Sequence, residues 1–97
     1  MNINKNEILK KICYTELVYG RINKKLNMTF SKTEIEKLIF DVIQNTEEGG
    51  FEKTGKNYYV TNSRYGIKVT INSYTFRVIT VDNMKFCKYP LNFFIRF

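Results

Sequence analysis

The side chains of this sequence that could do chemistry are cations and tyrosines, because histidine is absent. The chain has 16 Lys and Arg, 9 Asp and Glu, 7 Tyr and a net charge of +7. Histidine-based acid–base catalysis is therefore excluded, and any catalysis would use Lys, Arg, Tyr, Asp or Glu. The two cysteines have no CxxC spacing, and no Gly-rich phosphate loop or nucleophile elbow is present. We therefore expect no metal and no cofactor, and whether the protein is an enzyme stays open.

The charge is distributed unevenly along the chain. Residues 1–32 carry seven basic and two acidic groups, residues 33–52 carry one and six, and residues 53–97 carry eight and one. This basic surplus at both ends of the chain favours a surface that attracts phosphates. The alternative interpretation is the general basicity of a small protein, without a specific partner.

The first element that positions these residues is a predicted N-terminal helix. Asn4 is a good N-cap, and Glu7 three residues later completes a capping pattern. Apolar residues at helical spacing follow, and Gly20 is a suitable C-cap, which predicts a helix over residues 5–19. Cys13 lies in the apolar stripe and is interpreted as a core residue.

The second predicted helix covers residues 32–44. Ser31 and Glu34 form a capping box, and the apolar residues behind them follow the i, i+3, i+4 pattern of a half-buried helix. Residues 21–26, between the two helices, could form a short helix or a turn.

The second half of the chain changes to the period of two that is typical of strands. A polar, glycine-bearing loop is predicted over residues 45–57. Strands are then predicted over residues 58–62, 67–71 and 74–81, which are rich in aromatic and β-branched side chains.

The last two strands have a predicted register, with residues 72–73 as a two-residue turn. All the apolar partners then share one face, with Ile71 opposite Tyr74, Val69 opposite Phe76, and Ile67 opposite Val78. On the other face, Lys68 lies opposite Arg77 and Thr70 lies opposite Thr75.

This order of elements predicts an α+β fold, with two N-terminal helices packed on one face of a three- or four-stranded antiparallel meander sheet. We expect one domain over residues 1–97, with a helical part at 4–45, a sheet part at 57–82 and an atypical aromatic tail at 83–97. The tail either adds a fourth strand, with Pro90 at an edge or break, or pairs with a second chain to form a homodimer.

The open face of the sheet is the predicted functional surface. Like charges at Lys68 and Arg77 would repel each other by a few tenths to about 1 kcal/mol, and an anionic partner would relieve this repulsion. Hydroxyls, cations and an aromatic ring on one sheet face suit an RNA backbone and a stacked base. The candidate nucleic-acid-binding residues are Lys68, Arg77, Thr70, Tyr58, Tyr59, Arg64 and Lys56. The alternative is a solvated polar face.

Four stretches of the sequence together resemble a bacterial family, domain of unknown function 3781. They are Tyr14–Asn23, Phe51–Asn62, Thr70–Ser73 and Thr75–Asp82, within a resemblance that covers roughly residues 4–82. The resemblance implies no known activity and no site residues. A weaker similarity, at the level of the fold alone, is to the RelE-like and barnase-like ribonucleases, some of which work without a catalytic histidine.

Two functions from different classes follow as hypotheses. The first is an RNA-binding protein, with or without the activity of a histidine-free, toxin-like ribonuclease. The second is a non-enzymatic protein-binding module, such as a phage or mobile-element inhibitor of a host nucleic-acid-handling complex, which would dock through Phe93, Phe94 and Phe97. No apolar stretch is long enough to span a membrane, no secretory signal is visible and cysteine is scarce, so we expect a cytoplasmic protein without a membrane partner.

Overall fold

The computed structural model describes residues 3–83, and within them the chain folds as three helices followed by a four-stranded antiparallel sheet. The helices are α1 (Lys5–Lys11), α2 (Glu16–Leu26) and α3 (Lys32–Gln44). The strands are β1 (Phe51–Thr54), β2 (Asn57–Asn62), β3 (Ile67–Asn72) and β4 (Val78–Asn83), in the spatial order β1-β2-β3-β4. The predicted α+β class and the antiparallel meander are confirmed. β1 lies within the stretch that was predicted to be a loop.

Helix α3 has the predicted bounds and the predicted capping box. The Ser31 hydroxyl accepts a hydrogen bond from the Glu34 backbone N–H at 3.2 Å, and the Glu34 carboxylate accepts one from the Ser31 N–H at 2.8 Å. Two otherwise unpaired N–H groups of the first turn are satisfied in this way. The apolar stripe of α3 is fully buried, at Ile35, Ile39, Val42 and Ile43.

The predicted helix over residues 5–19 is wrong, because the chain leaves the helical conformation after Lys11. The Asn4 cap is present, with its side chain accepting from the Glu7 N–H at 3.1 Å. Cys13, however, pairs through its backbone with the segment that precedes β4, in a short parallel bridge to Arg77. The Cys13 side chain is exposed, so its interpretation as a core residue is also wrong.

Helix α2 then begins at Glu16 and runs through Gly20, so Gly20 is not a C-cap. The helix ends at Asn27, which adopts the left-handed conformation with φ of 58°. Asparagine tolerates this conformation better than most residues and can replace glycine there. The stretch 21–26 is therefore the second half of a longer helix.

The core lies between the helices and one face of the sheet. Val60, Val69 and Val81 stand opposite one another on three neighbouring strands and are fully buried. Helix α2 packs along β4, where the Arg21 guanidinium donates to the Ile79 carbonyl at 3.3 Å. Since β4 is an edge strand, this contact satisfies a carbonyl that the sheet leaves unpaired.

The predicted register of the last hairpin is wrong. Ile71 pairs with Val78 instead of Tyr74, four residues further along, and a bulge follows before Val69 pairs with Val81. Residues 73–77 form a loop between the two strands. Beyond the bulge the pairing is shifted by five residues, an odd number, so the buried Val81 takes the position opposite Val69 that the prediction gave to Phe76.

A buried polar network joins the end of α3 to the end of β2. The Thr46 hydroxyl donates to the Val42 carbonyl at 2.6 Å, and the Asn62 side-chain amide donates to the Thr46 hydroxyl at 3.0 Å. Gly50 packs against this network. A β-carbon at Gly50 would lie 2.6 Å from the Thr61 carbonyl oxygen and would also overlap the Thr46 methyl group.

Two tyrosines lie at the contact between α2 and α3. The Tyr14 and Tyr19 rings stack with their centroids 5.6 Å apart, and the Tyr19 hydroxyl donates to Glu36 at 2.6 Å. Desolvation and this hydrogen bond raise the pKa of Tyr19 to about 12. Burial also raises the pKa of Tyr14, so both phenols stay neutral at physiological pH.

Candidate nucleic-acid interface

The open face of the sheet does not have the basic character that the sequence predicted. Lys68 stands opposite Asp82 on β4, not opposite Arg77, and Thr70 stands opposite Thr80, not Thr75. Arg77 lies before β4 begins and outside this face. An Asp across from Lys68 removes the like-charge repulsion that motivated the prediction.

Tyr59 is the tyrosine that shares this face with Lys68 and Thr70. Tyr59 pairs with Thr70 in the sheet, and the Lys68 ammonium lies 5.7 Å from the centroid of the Tyr59 ring. Thr70 is only 6% exposed. Lys68 and Tyr59 therefore interact with each other, and Thr70 offers little surface to a ligand.

The other candidate residues are divided between the two ends of the sheet. Arg64 lies in the β2–β3 turn, and Lys56 lies in the β1–β2 turn at the opposite end. A six-residue strand separates these ends by about 20 Å. Tyr58 faces the core and packs against Phe76, with ring centroids 6.2 Å apart. The seven predicted residues therefore do not form one site.

The structure brings together a different group of residues, at the end of the sheet that holds Lys56. The Lys56 carbonyl accepts a hydrogen bond from the Ser73 N–H at 2.8 Å, and the Arg77 carbonyl accepts one from the Asn72 N–H at 2.9 Å. The first bond holds the β1–β2 turn against the β3–β4 loop, and the second closes that loop. Lys11 joins from α1, with its ammonium 5.4 Å from the centroid of the Phe76 ring. We call the surface formed by Lys11, Lys56, Tyr74 and Arg77 the basic end.

The β3–β4 loop of the basic end has a fixed backbone. The Asn72 side-chain oxygen accepts hydrogen bonds from the Tyr74 N–H at 2.8 Å and the Thr75 N–H at 2.9 Å. Phe76 adopts a left-handed conformation with φ of 60°, and its N–H donates to the Asn72 carbonyl at 2.8 Å. Such a conformation costs about 1 to 3 kcal/mol for a bulky residue and persists only where neighbouring contacts enforce it.

The linker between α1 and α2 holds this loop from the other side. The Cys13 N–H donates to the Phe76 carbonyl, and the Cys13 carbonyl accepts from the Val78 N–H, both at 2.9 Å. The Cys13 thiol lies 3.6 Å from the carbonyl oxygens of Thr75 and Phe76. The break between α1 and α2 thus positions the loop, and the thiol contacts two of its backbone carbonyl groups.

The electrostatics of the basic end favour an anion. The four ion pairs among residues 3–83 involve Lys11, Lys25, Lys32 and Lys37, so Lys56 and Arg77 pair with no carboxylate in this part of the chain. Lys11 pairs with Glu7, but both side chains are about half exposed, and such pairs are weak and screened by salt. Tyr74, three residues before Arg77 in the same loop, is 69% exposed.

Sequence reasoning missed Tyr74 and Lys11 as members of a site. The incorrect register placed Tyr74 inside a strand, facing Ile71. Asn72 was already placed in the turn, but the ability of its side chain to accept from the N–H groups of Tyr74 and Thr75 was a signal for a longer loop. Lys11 had no signal of its own, because only the tertiary contact with Phe76 places it there.

Other kinds of site find no support in the described residues. Among them, no group of three or more His, Cys, Asp or Glu side chains could hold a metal ion. No helix within residues 3–83 is long and apolar enough to cross a membrane. Phe93, Phe94 and Phe97, the predicted partner-binding residues, lie outside the described residues, as does any homodimer contact of the tail.

Comparison with known proteins identifies the family. The family of proteins of unknown function DUF3781 matches residues 6–82. The chain belongs to this family. The DUF3781 match covers all three helices except the first residue of α1, and all four strands except Asn83. No curated protein and no solved structure matches the chain. The fold-level similarity to ribonucleases therefore stays a prediction.

Proposed function

We propose that this DUF3781 protein is a small RNA-binding protein that contacts its ligand through the basic end. The observation that supports the proposal is that the exposed Tyr74 lies on the loop that carries Arg77 and bonds to Lys56, two cations that pair with no carboxylate within residues 3–83. Cations attract the phosphate backbone, and an exposed aromatic ring offers a stacking surface to bases in RNA loops and bulges.

The proposal concerns binding, because the chemistry available at the basic end is limited. Its cations and phenol could stabilise negative charge on a phosphate, and this electrostatic stabilisation is the main contribution to catalysis that is available without a histidine. Gel inspection of the RNA after incubation is therefore part of the test. Cleavage that disappears with the binding variants would make the protein a ribonuclease that uses this site.

The test is fluorescence anisotropy with labelled RNA over a salt series, using two double variants of equal charge. Lys56→Glu/Arg77→Glu reverses two cations of the basic end. Lys24→Glu/Arg64→Glu reverses Lys24 in the last turn of α2 and Arg64 in the β2–β3 turn, both outside the basic end, and controls for net charge.

We expect the first double variant to bind at least about tenfold more weakly and to lower the slope of log K against log salt by about 1.4, since each lost phosphate contact removes about 0.7. The control should keep most of the wild-type affinity. Equal losses of RNA affinity in both variants would show that the effect comes from net charge and not from the basic end. An absence of RNA binding at low salt would refute the proposal.

A further inference from the structure

We infer that the basic end takes an unpaired stretch of RNA about three nucleotides long, with one base stacked on Tyr74 and the flanking phosphates on Lys56 and Arg77. This inference rests on the proposed function, which requires only that RNA binds at the basic end. It adds the strandedness of the ligand, the length of the contact and the role of each side chain.

Tyr74 indicates an unpaired ligand because its ring lacks the partners that the other described tyrosines have. Its ring stacks on no other aromatic ring, lies under no cation, and its hydroxyl makes no hydrogen bond within residues 3–83. The other described tyrosines each have at least one such partner, namely Tyr14, Tyr19, Tyr58, Tyr59 and Tyr65. A base inside a duplex has both faces covered by its neighbours, whereas an unpaired base can stack on an exposed ring.

The backbone of the loop presents this ring with little freedom to lose on binding. The Tyr74 N–H is held by the Asn72 side chain at 2.8 Å, and Phe76 is held in its left-handed conformation from both sides. A ligand that binds an already ordered loop pays a smaller entropy cost than one that must order it. The geometry is therefore that of a preformed stacking platform.

The spacing of the elements sets the length of the contact. The basic end runs across the sheet from the β1–β2 turn, which holds Lys56, to the start of β4, next to Arg77. Lys56 directly precedes β2, so two strand spacings of about 4.8 Å, from β2 to β4, give about 10 Å. Stacked nucleotides rise about 3.4 Å each along one strand, so this distance corresponds to about three nucleotides. Lys11 lies next to Phe76 and could add one more phosphate contact.

The experiment is a length series of labelled oligouridylates of two, three, four, six and eight nucleotides, with a duplex RNA of eight base pairs as comparison. We expect affinity to rise steeply up to about three nucleotides and only slowly beyond, and the duplex to bind at least about tenfold more weakly than the single strand of eight. Tyr74→Ala should weaken single-strand binding by about 5- to 150-fold, the range that corresponds to one stacked base, and leave duplex binding within about twofold. Tyr74→Phe keeps the ring and should bind like the wild type.

The outcomes separate this inference from the proposed function. Equal binding of duplex and single strand, no effect of Tyr74→Ala, or affinity that keeps climbing steeply to eight nucleotides would overturn the inference, even if Lys56→Glu/Arg77→Glu still abolished binding. An absence of binding by any RNA would overturn both. Tyr74 is exposed, so its loss is not expected to unfold the protein, and an unchanged thermal midpoint of Tyr74→Ala verifies this.

Discussion

Gly50→Ala should destabilise the fold because the added methyl group has no space. A β-carbon at Gly50 would lie 2.6 Å from the carbonyl oxygen of Thr61, a backbone atom of β2 that cannot rotate away. The same β-carbon would overlap the methyl group of Thr46. The φ of Gly50 is not in the left-handed region, so the penalty is steric and does not come from backbone conformation.

The expected cost is about 2 to 4 kcal/mol. Forcing an extra carbon into a packed site costs about 1 to 3 kcal/mol. If Thr46 rotates to make room, it also weakens its hydrogen bonds with Val42 and Asn62, at about 0.5 to 1.5 kcal/mol for each bond. The lower entropy of the unfolded alanine chain offsets this cost by about 0.4 to 1 kcal/mol.

Gly49→Ala is the matched control, since a β-carbon at Gly49 has no atom within 4 Å. The assay is urea denaturation followed by far-UV circular dichroism. The Gly49→Ala protein should be neutral or slightly stabilised, while the Gly50→Ala protein should have a midpoint lower by about 1 M or more, at a slope of about 1 to 3 kcal/mol per M. Equal midpoints for the two variants would refute the packing that we describe around Thr46.

Three further predictions concern the helices and the β3–β4 loop. Gly20→Ala should stabilise the protein by about 0.5 to 1 kcal/mol in the same denaturation assay, because Gly20 lies inside α2 with open space around it; a loss of stability would contradict this. The pKa of Tyr19 is raised to about 12, so its hydrogen bond to Glu36 contributes stability that is present below pH 10 and is lost as pH rises through 12. The Glu36→Gln variant should move the pKa of Tyr19 towards 10 in an NMR titration of the tyrosine rings. An unchanged titration would show that the hydrogen bond to Glu36 does not form. Asn72→Ala removes the acceptor that fixes the loop, so amide hydrogen exchange at Tyr74 should speed up at least about tenfold while exchange in α3 changes little. Equal exchange rates at Tyr74 in the variant and the wild type would contradict the hydrogen bond between the Asn72 side chain and the Tyr74 N–H.

Local signals predicted the elements that depend on local interactions. Helix α3 combines a capping box at Ser31 with an unbroken apolar stripe, and its bounds were confirmed as predicted. The α+β class followed from the change of period after the helices. In these segments, propensity, capping and apolar pattern all indicate the same structure.

Tertiary contacts determine the end of α1 and the register of β3 and β4, which the sequence could not predict. The apolar spacing continues through Ile12 and Cys13, but the backbone of Cys13 bonds to the β3–β4 loop, and this contact interrupts the helix. The register of β3 and β4 depends on the loop that Asn72 and the left-handed Phe76 form and on the bulge at Thr70/Ile71, and the apolar alternation of β3 indicates neither feature. An error of five residues in register at Lys68, which pairs with Asp82 and not with Arg77, removed Arg77 from the open face, so the predicted site was replaced by the basic end.

An amide chemical-shift titration of the protein with an oligouridylate of four nucleotides tests the central claim most directly, because it reports binding and location together. We predict the largest shifts at Cys13, at Lys56 and over residues 73–77, with small shifts at Tyr59 and Lys68 on the open face of the sheet. Shifts concentrated on that open face, shifts in the β2–β3 turn, or no shifts at all would contradict the claim that the basic end binds RNA.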